Sequence, residues 1–170
     1  MTFEPIDVRD LVASPGTSRR VRVLGALDGL ATELAVVDGP IEGDLLLESI
    51  VEGILVSGEL AGAFRLRCAR CLVELDRRFT VEIQELYCVD PDAEGDLYRL
   101  PPEGLIEPEP MLRDVVGVEL PFAPLCRPDC QGLCSVCGED RNLGACPGHD
   151  EIDPRWAALG SLALDRTAES

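Results

Sequence analysis

Phe64 and Leu66 alternate with Arg65 and Arg67, and Phe79, Val81 and Ile83 alternate with Thr80, Glu82 and Gln84. A period of two puts one set of side chains on each face, the pattern of a half-buried strand. Strands are predicted over 59–67 and 72–87, joined by a hairpin whose tip is Cys68-Ala69-Arg70-Cys71. A longer strand is predicted over 44–57, with Leu45, Leu47, Ile54 and Val56 among its apolar positions, and a short one over 34–37. Helical spacing is sparser. Leu112, Val115, Val116 and Leu120 fall on one face of a short helix over 111–120, which Pro121 ends. Asp7 is a candidate N-cap for a helix over 7–12. The turn-forming run Ser14-Pro15-Gly16-Thr17-Ser18 and a basic patch, Arg19-Arg20-Val21-Arg22, come next. Residues 90–110 are acidic and carry five prolines, so they read as a linker. Asp153 as N-cap and Pro154 in the first turn open a terminal helix over 154–163, with Trp156, Leu159, Leu162 and Ala163 on one face.

These elements define an α+β fold: an antiparallel β-sheet domain with short helices and a cysteine-rich, zinc-binding C-terminal segment. The expected divisions are a β-rich core with its Cys-x-x-Cys hairpin over 1–125, the cysteine-rich segment over 126–150, and a helix and tail over 151–170. With 46% hydrophobic but 4% aromatic residues, the core must be built from Leu, Val, Ile and Ala. The same shortage leaves few stacking platforms for single-stranded nucleic acid.

The net charge is −17, and every one of the 15 basic residues is Arg. A phosphate backbone is repelled at long range by such a molecule, so basic proteins are the favoured partners. No apolar stretch approaches a membrane span of about 20 residues, and the N-terminus has no secretory pattern, so the expected location is the cytoplasm. Eight cysteines in a reducing compartment argue for metal or redox chemistry over structural disulfides.

The candidate ligands are Cys68, Cys71, Cys126, Cys130, Cys134, Cys137, Cys146 and the single histidine, His149; Cys88 stands apart at a strand end. Zinc takes four tetrahedral thiolate or imidazole ligands, and two residues between paired cysteines let one turn bite one ion. Cys134-Ser135-Val136-Cys137-Gly138 has the form of a zinc knuckle. Three partitions satisfy the ligand count. The first sets Cys68 and Cys71 with Cys126 and Cys130, and Cys134 and Cys137 with Cys146 and His149. The second is one local site of Cys126, Cys130, Cys134 and Cys137, and the third pairs the two Cys-x-x-Cys units. One or two zinc ions per chain follow. Cysteine-dominated sets make closed structural sites, whereas catalytic zinc keeps an open position. No βαβ context surrounds Cys68 and Cys71 as a thioredoxin-like site requires. The chain is expected not to be an enzyme, and no small-molecule substrate is expected.

Arg65, Arg67, Arg70, Arg77 and Arg78 fall within fourteen residues, opposed by Glu74 and Asp76. Two readings stand side by side: a solvated outer sheet face paired with acidic neighbours, or a local contact for RNA phosphate.

At Cys68-Ala69-Arg70-Cys71-Leu72, at Cys130-Gln131-Gly132-Leu133-Cys134-Ser135-Val136-Cys137-Gly138 and at Asp153-Pro154-Arg155-Trp156 the chain resembles the YceD family of large ribosomal RNA subunit accumulation proteins. The resemblance implies a non-enzymatic role in 23S ribosomal RNA accumulation and large-subunit biogenesis, with large-subunit RNA or basic ribosomal proteins as partners. It also favours the two-site partition. The alternative, from a different class, is a cytosolic thiol- or zinc-dependent redox switch, which needs exposed thiols of low pKa.

Overall fold

A computed structural model of the chain describes residues 2–90, 92, 95, 98–144, 146 and 155. The predicted helix over 154–163 and the candidate ligand His149 lie outside the described residues. The chain divides into two compact units, Met1–Cys130 and Gln131–Ser170. The division falls beyond the expected boundary at 125 because Cys126 and Cys130 gather with Cys68 and Cys71 in the first unit.

The first unit is built on a mixed, mostly antiparallel six-stranded sheet. In chain order its elements are β1 (Ile6–Asp7), α1 (Arg9–Val12), β2 (Ser18–Gly25), β3 (Ala35–Val37), β4 (Ile41–Ile50), β5 (Gly53–Arg67), β6 (Glu74–Cys88), β7 (Tyr98–Arg99), β8 (Leu105–Ile106) and α2 (Glu109–Glu119). The sheet order is β2-β4-β5-β6-β7. β3 pairs with Phe64–Leu66 of β5, beyond the stretch that β4 covers. β1 and β8 form a separate two-stranded ladder.

The backbone of this arrangement is the β5–β6 hairpin, paired without a break from Gly53↔Cys88 to Arg67↔Glu74. Its alternation is the one read from the sequence. Ile54, Val56, Leu60, Phe64 and Leu66 face inward from β5, and Ile83 and Tyr87 from β6. Leu45 and Leu47 of β4 and Val23 of β2 extend the same apolar face. Phe3, Val8, Leu11, Leu27, Ile106 and α2, through Met111, Leu112 and Val116, complete the core. Phe64 and Phe79 stack with ring centroids 4.2 Å apart, so two of the few aromatics are spent inside the sheet.

Three expectations are corrected, and one unassigned stretch gains an element. The stretch 44–57 is not one strand: β4 ends at Ile50, a two-residue turn of Val51 and Glu52 follows, and Gly53 pairs back with Ile50. Gly53 is required there, because a Cβ at that position would run into the Tyr87 carbonyl of β6. The patch Arg19-Arg20-Val21-Arg22 is part of edge strand β2. Asp7 does not cap α1, which is four residues long with Val8 as its N-cap; the Asp7 carboxylate instead accepts from the Arg9 amide at 3.1 Å. Residues 90–110 contain the short strands β7 and β8. α2 begins at Glu109, with Pro110 in its first turn, where a missing N–H costs nothing.

The second unit has a different character. Its described part holds a 3₁₀ turn, Arg141–Leu143, whose N-cap Asp140 accepts from the Asn142 amide at 2.8 Å. Gly132 is the one buried residue among those described in this unit. Leu133, Val136 and Leu143 are exposed. Among the described residues no helix is long and apolar enough to cross a membrane.

Leu60 is fully buried at the centre of the sheet, whereas Leu24 on edge strand β2 is 45% exposed. Leu60→Ala should lower unfolding free energy by about 2–5 kcal/mol, and Leu24→Ala by less than about 0.5 kcal/mol. Urea denaturation of the two variants checks the difference; equal losses would contradict this core assignment.

Candidate metal centre

Cys68 follows directly on β5, and the hairpin turn carries the chain through Cys71 into β6. The Cys68 amide donates to the Val73 carbonyl at 2.9 Å, and the Leu72 amide donates to the Cys68 carbonyl at 2.9 Å. Leu72 takes a positive φ of 60°, unusual for a branched side chain. The loop after α2 brings up the other pair. The Ala69 amide donates to the Pro124 carbonyl at 2.7 Å, and Arg70 Nη1 donates to the Cys130 carbonyl at 2.7 Å.

The result is a cluster of Cys68, Cys71, Cys126 and Cys130 whose sulfurs all lie within 4.8 Å of one another. Cys68 Sγ is 3.8 Å from Cys130 Sγ, and Cys71 Sγ is 3.7 Å from Cys126 Sγ. Disulfide sulfurs would be about 2.0 Å apart. A tetrahedron of thiolates around zinc, with bonds of about 2.3 Å, has edges of about 3.8 Å. The spacing therefore fits four ligands around one ion. Cys68 and Cys130 are buried, Cys71 is half-buried and Cys126 is exposed.

The second cluster is Cys134, Cys137 and Cys146, again within 4.8 Å, with Cys137 Sγ and Cys146 Sγ 3.8 Å apart. Its Cys-x-x-Cys turn repeats the first one bond for bond. The Cys134 amide donates to the Glu139 carbonyl at 2.8 Å, and the Gly138 amide donates to the Cys134 carbonyl at 2.9 Å. The amides of Arg70 and Val136 lie 3.5 Å from the sulfurs of Cys68 and Cys134. Gly138, with φ 75°, stands where Leu72 stands in the first turn. Of the three partitions open from the sequence, the first is the one the described sulfurs follow. Cys88 is buried and belongs to neither cluster.

Thiol acidity follows from this crowding. Burial pushes the Cys68 thiol up, but the backbone amides of Cys71, Cys126 and Arg70 and the Cys71 thiol outweigh it and bring it down to about 6. Cys126 is pushed up to about 12 by burial and by the neighbouring thiols of Cys130, Cys71 and Cys68. The amides of Cys137 and Val136 bring Cys134 down to about 6. In Cys137 the Glu139 amide acts downward, but burial and the Cys134 and Cys146 thiols raise it overall. Each cluster thus has one thiol made acidic by amides and a neighbour held protonated beside it. A cation is what ionises such a set together.

The arginines separate on inspection of register. Arg65 stands directly opposite Asp76, and Arg67 opposite Glu74, on the outer sheet face. Arg65 also meets Asp38 at 2.7 Å. Arg78 pairs with Ala63 on that face, while Arg77 pairs with the inward-facing Phe64 and so lies on the other. Arg70 is tied to the Cys130 carbonyl. The five are not gathered on one face.

Together these features define a β-sheet protein with two thiol clusters able to hold metal ions. The chain belongs to the YceD family: the family model, described as large ribosomal RNA subunit accumulation protein YceD, matches residues 56–163. The match takes in both clusters. Among similar proteins, an uncharacterized protein of Mycobacterium tuberculosis is 40% identical over 140 residues, covering 76% of this chain and 66% of its own length. A Mycobacterium bovis protein shows the same figures. An uncharacterized protein of Mycobacterium leprae is 35% identical over 168 residues, covering 92% of this chain and 76% of its own length. The chain thus spans about two thirds of the length of the first of these relatives. No solved structure matches it.

Because Cys126 and Cys137 are held protonated in the metal-free clusters, ion binding must expel protons. Affinity for zinc should therefore rise with pH. It should fall most steeply below about 6, where Cys68 and Cys134 also take up protons. Competition with a chelator of known affinity from pH 5 to 8 measures this; retention independent of pH would argue against thiolate ligation.

Proposed function

We propose that the protein is a non-enzymatic factor supporting 23S ribosomal RNA accumulation and large ribosomal subunit biogenesis, with structural zinc held by Cys68, Cys71, Cys126 and Cys130, and by Cys134, Cys137, Cys146 and His149. The observation that carries this reading is the match to the large ribosomal RNA subunit accumulation family. The geometry supports a basic protein, rather than RNA alone, as the direct partner. On the outer sheet face Asp44, Glu59 and Glu82 stand directly opposite one another across β4, β5 and β6. Like charges so placed destabilise a sheet by roughly 0.2–1 kcal/mol per pair, which a cationic partner would recover. Arg22 of β2, opposite Asp44, is already engaged with Glu42 at 2.6 Å. Contact with RNA at short range would fall to Arg77 and Arg78, because Arg65, Arg67 and Arg70 have acidic or backbone neighbours. The cytoplasm is the proposed location.

One observation favours the redox alternative: the half-buried Cys134 has a thiol near 6 beside the exposed Cys137, a reactive pair whenever metal is absent. Titrating free thiols on chelator-free protein separates the two. Closed zinc centres leave few reactive thiols.

Depletion should lower large-subunit RNA relative to small-subunit RNA without a matching loss of transcription. Glu59→Gln, with Glu82→Gln, should stabilise the isolated protein by about 0.2–1 kcal/mol while reducing salt-sensitive recovery of basic ribosomal proteins in pulldown. An unchanged ratio of the two RNAs after full depletion would remove the assembly reading.

A further inference from the structure

The two Cys-x-x-Cys turns share their backbone bonds, so differences between the clusters must come from the residues around them. In the first turn both intervening residues reach across to the loop that supplies the second pair. The Ala69 amide holds the Pro124 carbonyl at 2.7 Å, two residues before Cys126. The Arg70 guanidinium holds the carbonyl of Cys130 itself at 2.7 Å. That loop has no helix or strand of its own between α2 and Cys130, so these two bonds fix where its sulfurs lie. In the second turn the place of Arg70 is taken by Val136, 70% exposed and unable to donate a hydrogen bond from its side chain.

The surroundings differ in the same sense. In the first cluster Cys68 and Cys130 are buried, with 0% and 1% exposure, while Cys71 is half-buried and Cys126 exposed. In the second cluster none of the three cysteines is buried: Cys134 and Cys146 are half-buried and Cys137 is exposed. A thiolate leaves a metal when it is protonated or displaced by a competing ligand, and both events need access and local movement. Four thiolates on a divalent ion also carry excess negative charge, which a guanidinium bonded to the Cys130 carbonyl offsets.

We infer that the two centres differ in kind: the Cys68–Cys71–Cys126–Cys130 centre is a kinetically locked one in which Arg70 is the positioning residue, and the Cys134–Cys137–Cys146 centre is the exchangeable one, through which zinc is gained and lost. Arg70 is then a strut of the metal centre rather than an RNA contact. The inference rests on the zinc reading above and deepens it.

Zinc-loaded full-length protein mixed with excess chromophoric chelator should release its metal in two phases of one ion each. Cys134→Ser with Cys137→Ser should remove the fast phase and leave the slow one. Arg70→Ala should speed the slow phase on the order of 10- to 100-fold, as loss of an outer-shell partner does, and leave the fast phase unchanged. Arg70→Lys should recover part of the lifetime, keeping the charge but not the planar fork. Val136→Ala should move neither phase. Cobalt substitution, read by the intensity of the tetrathiolate charge-transfer band, reports whether the four-sulfur set survives in each variant. Should Arg70→Ala not fold, Arg70→Gln supplies the same test. Release of both ions at one rate, assignment of the slow phase to the Cys134–Cys137 pair, or a slow phase indifferent to Arg70 would each overturn the inference. Elemental analysis finding no zinc in the unaltered protein would instead remove the reading on which it rests.

Discussion

Four thiols whose sulfurs lie within 4.8 Å cannot all ionise in the absence of a cation. In the first cluster that constraint joins parts of the chain more than fifty residues apart. It fastens the tip of a fifteen-residue-per-strand hairpin to the loop that leaves α2. The hairpin outruns the rest of the sheet: β4 accompanies β5 only to Ala61, and β3 adds Phe64 to Leu66. Past Leu66 the end of β5 has no strand partner but β6, and Arg77, opposite Phe64, occupies an inward position while exposed. An ion held by the cluster at the tip would add a cross-link to the burial of Cys68 and Cys130 there.

The described part of the second unit holds its thiol cluster in a different setting. Its described residues leave Leu133, Val136 and Leu143 exposed, and so bury little apolar surface against the entropy of ordering their backbone. What its described residues do have is a set of local polar ties. The Gln131 amide donates to Asn142 Oδ1 at 2.8 Å, and the Arg141 amide donates to the Gly132 carbonyl at 3.0 Å. These set the loop around the three sulfurs but do not replace a core. The same backbone turn therefore occurs in two settings, at the tip of a hairpin held by a sheet and in a segment whose described residues form no strand.

The elements legible in the sequence were those with a long, uninterrupted period. β6 shows it from Phe79 to Ile83, and the hairpin tip at Cys68–Cys71 follows from the strands that flank it. The β4–β5 turn is not legible because neither Val51 nor Glu52 is a turn-forming residue such as Asn, Asp or Pro; Gly53, the first residue of β5, is the cue. β2 does alternate, with Val21 and Val23 inward and Arg20 and Arg22 outward, but the run of arginines masked the period. β7 and β8, at two residues each, are too short for any period and exist because Tyr87 and Ile6 offer partners. In the site, tetrahedral ligand counting limits the choice to three partitions but does not choose among them; the grouping of the described sulfurs depends on the loop after α2 folding back to the hairpin tip. The role of Arg70 was not accessible that way, because a bond from a side chain to a carbonyl sixty residues distant has no signature along the chain.

Register also resolves what composition leaves mixed on the outer face of the sheet. The cations lie toward its ends: Arg20 and Arg22 on β2, and Arg65, Arg67 and Arg78 where the hairpin projects past β4. Asp44, Glu59 and Glu82 hold the middle. Arg65 and Arg67 face Asp76, Glu74 and Asp38, and Arg22 engages Glu42, so the fields of these three are largely cancelled within a Debye length of about 8 Å. The central carboxylates face one another, so their fields add. A net charge of −17 is therefore not spread evenly over this face. It is sharpest along one cross-strand row, where fold stability alone would favour a neutral or cationic residue. On the proposed reading, a cationic side chain from another protein, laid across β4, β5 and β6, would meet that need.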